Sequence, residues 1–140
     1  MTELFFEYLD PHKFFPDFNK NDLRHLLVKL EEDFHFKASK IQTTVINEEE
    51  LLEMNQQFLK HEYYTDIITF DYSEDKILAG DLFISGNRCR ENADEYKTSA
   101  INELERYIIH GVLHLCGLDD KRDEMRIIMR EREDYYLGLI

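Results

Sequence analysis

The chain contains few of the residues that crosslink, stiffen or anchor a protein. Its 140 residues include two cysteines, two prolines, five glycines and no tryptophan. Two cysteines cannot build the disulfide framework of a small secreted domain, and they suit a reducing compartment. No apolar run approaches the about 20 residues of a membrane-spanning helix, and the first residues, MTELFFEYLDPHKFF, lack a signal-peptide pattern. The sequence therefore predicts a cytoplasmic protein without a membrane partner.

Positive charge is also scarce. Seventeen Lys and Arg residues stand against thirty Asp and Glu residues, which gives a net charge of −13. A uniformly acidic surface repels nucleic acids and anionic membranes. Any contact with a nucleic acid therefore requires a local basic patch, a bound metal ion or a partner protein.

Apolar and aromatic residues are plentiful. Hydrophobic residues make up 43% of the chain, including ten Phe and eight Tyr, which is enough for a packed core and excludes a disordered chain. The sequence contains no Ser/Gly-rich linker, low-complexity stretch or internal repeat. These features predict a single domain over residues 1–140.

Hydrophobic periodicity predicts a mixture of strands and helices. Alternating or β-branched segments predict strands at residues 3–8, 40–46, 65–72 and 81–85. Helical spacing and capping residues predict helices at 21–34, 47–59, 87–97, 98–116 and 123–137, the second of them opened by an Asn47/Glu50 capping box. Because the elements do not alternate strictly, we expect an α+β fold with one small mixed sheet and helices packed on it.

A pair of histidines near the C-terminus is the most informative feature. His110 and His114 are four residues apart on a predicted helix, so their side chains lie one above the other and can reach one metal ion at about 2.0–2.1 Å. A helix break at Gly117 allows Asp119 or Asp120 to return as a third ligand. Three protein ligands leave one position for water, the arrangement of a catalytic zinc site, in which the pKa of the water falls toward about 7.

Two other interpretations of the histidine pair stay open. The histidines can be ordinary surface or core residues of the helix. The segment also resembles the zincin pattern H-E-x-x-H-x-x-G-x-x-H, which would suggest a metallopeptidase. Gly111, however, replaces the glutamate that acts as the general base in those enzymes, and Asp120 replaces the third histidine. A carboxylate is an ordinary zinc ligand, so the change at Gly111 weighs more heavily.

The same segment carries a family resemblance. The sequence HGVLHLCGLDD at residues 110–120 resembles the HGxLHLxGxDH motif of the YbeY family, bacterial endoribonucleases and rRNA maturation factors. Asn55 with TDIITF at residues 65–70, and GDLFIS at residues 80–85, are similar to two further motifs of that family. The motifs occur in the family's order and extend from about residue 51 to residue 123.

The resemblance implies a fold, a cofactor and a reaction. It implies one α+β domain with a zincin-like metal site on a helix and the following loop, and one Zn²⁺ ion held by His110, His114 and Asp120. The two histidines would act in catalysis through the metal-bound water, with the general base unassigned. The implied activity is cleavage of single-stranded RNA in 16S rRNA 3′-end maturation and ribosome quality control, with the small subunit or its proteins as partners. Two histidines and a carboxylate also suit non-haem iron.

Four residues are candidates for RNA binding. At the position of Leu59 the family usually has an arginine, which is expected to contact RNA phosphate or to assist cleavage. Lys60 and His61 follow Leu59 directly, and Lys121 and Arg122 follow the predicted metal ligands. Leu59 and the acidic net charge also motivate an alternative function, a non-catalytic ribosome assembly factor with a structural metal.

Two further carboxylates are predicted to lie in strands. Asp66 and Asp81 are expected to be buried structural groups that accept backbone N–H bonds or orient a ligand histidine. The alternative role for either is that of general base.

Overall fold

The computed structural model describes residues 5–60 and 65–140. Within these residues one four-stranded sheet has the order β1-β2-β4-β3, in which β3 is antiparallel to β4 and the other neighbours are parallel. The strands are β1 (Phe5–Leu9), β2 (Lys37–Ile46), β3 (Ile67–Asp71) and β4 (Ile77–Ser85). The helices are α1 (Asn21–Phe34), α2 (Glu48–Leu59), α3 (Gly86–Tyr96), α4 (Ala100–Leu115) and α5 (Asp123–Leu137). The predicted mixed sheet with packed helices is confirmed.

The two faces of the sheet carry cores of different size. Residues that alternate along the central strands, such as Ile41 and Leu82, join α4 residues such as Ile108 in the main hydrophobic cluster. The opposite face contributes Ile46 and Ile68 to a smaller cluster, which packs on α2. The sheet therefore presents one extensively covered face to α4, the helix that carries both histidines.

Two glycines allow α4 to lie directly on the sheet. A Cβ atom at Gly111 would lie 2.7 Å from Leu82 Cδ2, and one at Gly80 would lie 2.8 Å from Leu115 Cδ2. Neither position has room for a side chain, so helix and strand approach more closely than larger residues would permit. This contact fixes the face of α4 that points away from the sheet, where the histidines lie.

Most predicted element boundaries agree with the structure. The predicted capping box is present, since Asn47 Oδ1 accepts from Glu50 N at 2.9 Å and Glu50 Oε1 accepts from Asn47 N at 3.1 Å. The N-cap of α1 is Lys20, one residue before the predicted start at residue 21. The strand β4 begins four residues earlier than predicted because it pairs along nearly the whole of β2.

No helix in the part of the chain covered by the structure combines the length and apolar character needed to cross a bilayer.

Candidate metal centre

The side chains of His110, His114 and Asp120 converge at the C-terminal end of α4. The two Nε2 atoms are 3.0 Å apart, and each faces a different oxygen of Asp120, at 3.5 Å from His110 and 3.7 Å from His114. Ligand atoms about 2.0–2.2 Å from a tetrahedral ion are about 3.3–3.6 Å apart. With one ligand atom taken from each residue, the three atoms lie within 4.8 Å of one another, so a movement of the side chains would close them around one ion.

The hydrogen bonds of the two imidazoles point to a cation between them. His110 Nδ1 lies 2.7 Å from a carboxylate oxygen of Glu133, and His114 Nδ1 lies 2.8 Å from the carbonyl oxygen of Leu118. Both partners are acceptors, so the hydrogen-bond network assigns the single proton of each neutral imidazole to Nδ1. Each Nε2 then directs a lone pair at the other. A cation bound between them would accept a lone pair from each nitrogen.

The local environment keeps His114 in the form that binds metals. Burial lowers the pKa of His114, and the positive charge of a protonated His110 would lower it further. A neutral imidazole is the ligand form of histidine. The site therefore offers at least one preformed neutral nitrogen donor at neutral pH.

The turn after α4 brings a third group that could bind a metal to the pair. Gly117 has a φ of 102°, a conformation that favours glycine, and its N–H donates to the carbonyl of His114 at 2.9 Å. The turn places Asp120 over the histidines. Asp119 is exposed instead, and its carboxylate accepts the N–H of Lys121 at 3.3 Å. Of the two acids that the sequence left open, Asp120 is the one that joins the site.

Glu133 is part of the site, and the sequence analysis did not identify it. This α5 side chain is buried, at 5% exposure, and it accepts from Arg106 Nη1 at 3.0 Å as well as from His110. A carboxylate that holds the second nitrogen of a ligand histidine fixes the tautomer and the direction of the ring. The available signal was its place on the apolar stripe of α5, four residues after Met129 and three before Tyr136, where an unpaired charge would be costly.

Neither aspartate singled out in the sequence orients a ligand histidine. Asp66 lies one residue before β3 and is half exposed, and its carboxylate accepts from the hydroxyl of Tyr107 at 2.8 Å. Asp81 lies in β4 between Gly80 and Leu82, the residues that contact α4, so its side chain points to the opposite face of the sheet. The expectation of an orienting role for either one was wrong, because the orienting carboxylate comes from α5.

The candidate RNA-binding residues lie at the surface where they can be placed. Lys60 is the exposed C-cap residue of α2, and Lys121 and Arg122 are exposed in the loop between Asp120 and α5. His61 lies outside the described residues. These assignments stay predictions.

Comparisons with known proteins agree on one family. The profile of the family described as endoribonuclease YbeY matches residues 12–140. The endoribonuclease YbeY of Parabacteroides distasonis is 42% identical over 125 residues, which cover 89% of this chain and 88% of that protein. The corresponding protein of Flavobacterium psychrophilum is 52% identical over 89 residues, or 64% of each chain. A Thermotoga maritima protein solved in solution superposes with a TM-score of 0.62 at 28% identity and covers 95% of this chain and 87% of its own.

Proposed function

The chain belongs to the YbeY family of endoribonucleases, and on that premise we propose that it is a metal-dependent endoribonuclease that cuts single-stranded RNA. Its substrate is the 3′ end of precursor 16S rRNA, and it acts in ribosome quality control, with the small subunit or its proteins as partners. The resident ion is Zn²⁺, one per chain, held by His110, His114 and Asp120.

The observation that carries this proposal is the pair of facing Nε2 atoms, 3.0 Å apart beside the Asp120 carboxylate. Two nitrogens and one carboxylate oxygen form a donor set that suits zinc and leaves a position open to water or substrate. A divalent ion bound there would polarise a phosphoryl oxygen and lower the pKa of a water molecule.

The residues around the ligands define how the site works. Glu133 and the Leu118 carbonyl keep the protons on Nδ1, so that both Nε2 atoms stay available as donors. Arg106 holds the Glu133 carboxylate in place through an ion pair of 3.0 Å. Lys60, Lys121 and Arg122 bind the phosphates of the RNA strand in this proposal, with His61 as the fourth cation.

A peptidase function is disfavoured by the packing of position 111. The glutamate that activates water in a zincin would occupy this position, but any Cβ there would collide with Leu82. Position 111 therefore faces the sheet, where a glutamate has no room.

Elemental analysis of the purified protein tests the metal site. We expect about one zinc per chain in the wild type, and less than a tenth of that in His114→Ala. Asp119→Ala is the matched control, because this neighbouring acid does not join the site, and it should bind a full equivalent. Equal metal content in wild type and His114→Ala would contradict the proposed site. Iron in place of zinc would keep the site but change the identity of its metal.

Processing of a 3′-extended small-subunit RNA in the presence of ribosomes tests the activity. We expect cleavage by the wild type and by Asp119→Ala, and loss of cleavage in His110→Ala. Cleavage unchanged in His110→Ala would refute a metal-dependent nuclease. A wild-type protein that promotes subunit assembly but does not cut the RNA would instead favour the assembly factor motivated by Leu59 and the acidic net charge.

A further inference from the structure

A groove extends from the metal ligands along α4. Four polar side chains at helical spacing form its floor, and the groove reaches His110 and Asp120 at one end. Its volume is about 340 Å³, within the range of about 300–1,000 Å³ for small-ligand pockets. The floor residues are Glu103, Arg106, Tyr107 and His110, one wall is Asn92 and Tyr96 of α3, and the other includes Arg126 and Arg130 of α5.

Three of the four carboxylates that line the groove are engaged with partners, and the fourth is Asp120 of the proposed metal site. Glu133 binds Arg106 and His110, Asp66 accepts from Tyr107, and Glu103 accepts from the hydroxyl of Thr98 at 2.9 Å. These contacts reduce the repulsion that the groove would exert on an anion.

One cation of the groove has no partner among the residues that the structure describes. Arg126 forms an ion pair with Asp123, and Arg106 is held by two carboxylates. Arg130 is exposed, and within residues 5–60 and 65–140 its guanidinium forms no ion pair or hydrogen bond. A free guanidinium beside a metal centre is suited to bind a phosphate.

The opposite wall offers an aromatic surface. Tyr96 is the last residue of α3 and is 61% exposed, although it is a large side chain with apolar faces. Among the described residues no other aromatic ring stacks on it. Exposed aromatic rings are the surfaces on which the unpaired bases of single-stranded nucleic acids stack.

We propose that this groove binds one nucleotide of the RNA strand next to the bond that is cut, with its phosphate on Arg130 and its base stacked on Tyr96. The subsite rests on the proposed function, because it takes the same single-stranded RNA and extends from the same metal ligands. A duplex cannot enter in this way, because its bases are stacked on each other.

Equilibrium binding without metal tests the subsite separately from cleavage. The full chain is stripped with a chelator, and its affinity for a fluorescein-labelled single-stranded RNA hexamer is measured by anisotropy. We expect about a tenfold loss of affinity in Tyr96→Ala and in Arg130→Ala, and little loss in Tyr96→Phe, which keeps the ring. The controls Tyr135→Ala and Arg132→Ala, exposed α5 residues outside the groove, should stay within about twofold of the wild type.

The salt dependence separates the two contacts. Arg130→Ala should lower the slope of log affinity against log salt by about 0.7, the value for one phosphate of a single strand, whereas Tyr96→Ala should leave the slope unchanged. The same sequence as a duplex should not compete.

Three results would overturn the subsite: groove variants that bind like their controls, an unchanged salt slope in Arg130→Ala, or equal competition by the duplex. Because these measurements need no metal, an RNA that binds through the groove but is never cut would refute only the proposed nuclease. Normal cleavage by variants that match their controls in binding would refute only the subsite.

Discussion

The two histidines of the proposed metal site are one helical turn apart, yet they are held by different kinds of partner. His110 is held by the side chain of Glu133, which lies 23 residues further along the chain on another helix. His114 is held by the backbone carbonyl of Leu118, four residues away in the turn that follows. The first ligand depends on tertiary packing and on a charged network, whereas the second depends on the conformation of a short turn. Mutations should therefore affect the two ligands through different routes.

The largest effect is expected on the His110 side. Glu133→Ala leaves Arg106 and His110 without their buried partner, which should lower the free energy of unfolding by about 3–5 kcal/mol. Zinc affinity should fall about 10–100-fold, because the ring loses the group that fixes its tautomer. Denaturant unfolding and zinc competition with a chromogenic chelator measure the two quantities.

Two control variants make this test specific. Glu133→Gln keeps an acceptor of similar size and should recover most of the stability. Asp134→Ala removes only the exposed partner of Arg106 and should change stability by less than about 1 kcal/mol. If Glu133→Ala binds zinc as tightly as Asp134→Ala, Glu133 does not position His110.

A smaller effect is expected on the His114 side. Gly117→Ala forces a side chain into a φ of 102°, which should cost about 1–3 kcal/mol of stability and shift the Leu118 carbonyl from His114. A Cβ there meets nothing within 4 Å, so the loss would come from the backbone and not from a collision.

The other glycine of the C-terminal region is the matched control for that variant. Gly138 has a φ of −67°, and its substitution by alanine should keep or slightly raise the thermal midpoint. Equal thermal midpoints for Gly117→Ala and Gly138→Ala would show that the turn does not require glycine at position 117. The orientation of the His114 ring would then not depend on this backbone conformation.

The smallest effect tests whether His110 depends on the whole of α5 or on Glu133 alone. The hydroxyl of Tyr136 donates to Asp33 of α1 at 2.7 Å, one turn from Glu133, so Tyr136→Phe should cost about 1 kcal/mol at neutral pH. This bond holds the pKa of Asp33 below its usual range. The contribution is therefore full above the unfolded pKa of about 3.9 and is lost as the pH falls through the lower folded pKa.

Urea unfolding at neutral and acidic pH measures this difference, with the exposed Tyr135→Phe as control. The gap between Tyr136→Phe and wild type should close in acid, and zinc affinity should stay within about twofold. A tenfold loss of zinc affinity would show that the packing of α5 against α1, and not only Glu133, positions His110.

The sequence was most informative where the causes of structure are local. The Asn47 capping box, the four-residue spacing of His110 and His114 and the break at Gly117 depend on neighbouring residues, and the structure agrees with each. The choice of Asp120 over Asp119 could not be derived from spacing, because the direction of the turn decides it.

Long-range features were the ones that the sequence did not specify. The partnership of Glu133 with His110 depends on how α5 packs against α4, and no periodic pattern encodes which buried carboxylate meets which imidazole. The length of β4 likewise depends on its pairing with β2, more than 30 residues earlier. The role assigned to Asp66 failed for the same reason, since its partner Tyr107 lies 41 residues away.

The position of these three residues, His110, His114 and Asp120, along the chain has a consequence for the order in which the protein folds. His114 and Asp120 are separated by six residues, whereas the pairing of Phe5 with Lys40 must close 35 residues of chain. The entropy lost on closing a loop grows with its length, and short-range contacts form sooner than long-range ones. We therefore expect the proposed metal site at the end of α4 to form early in folding, before the parallel strands pair.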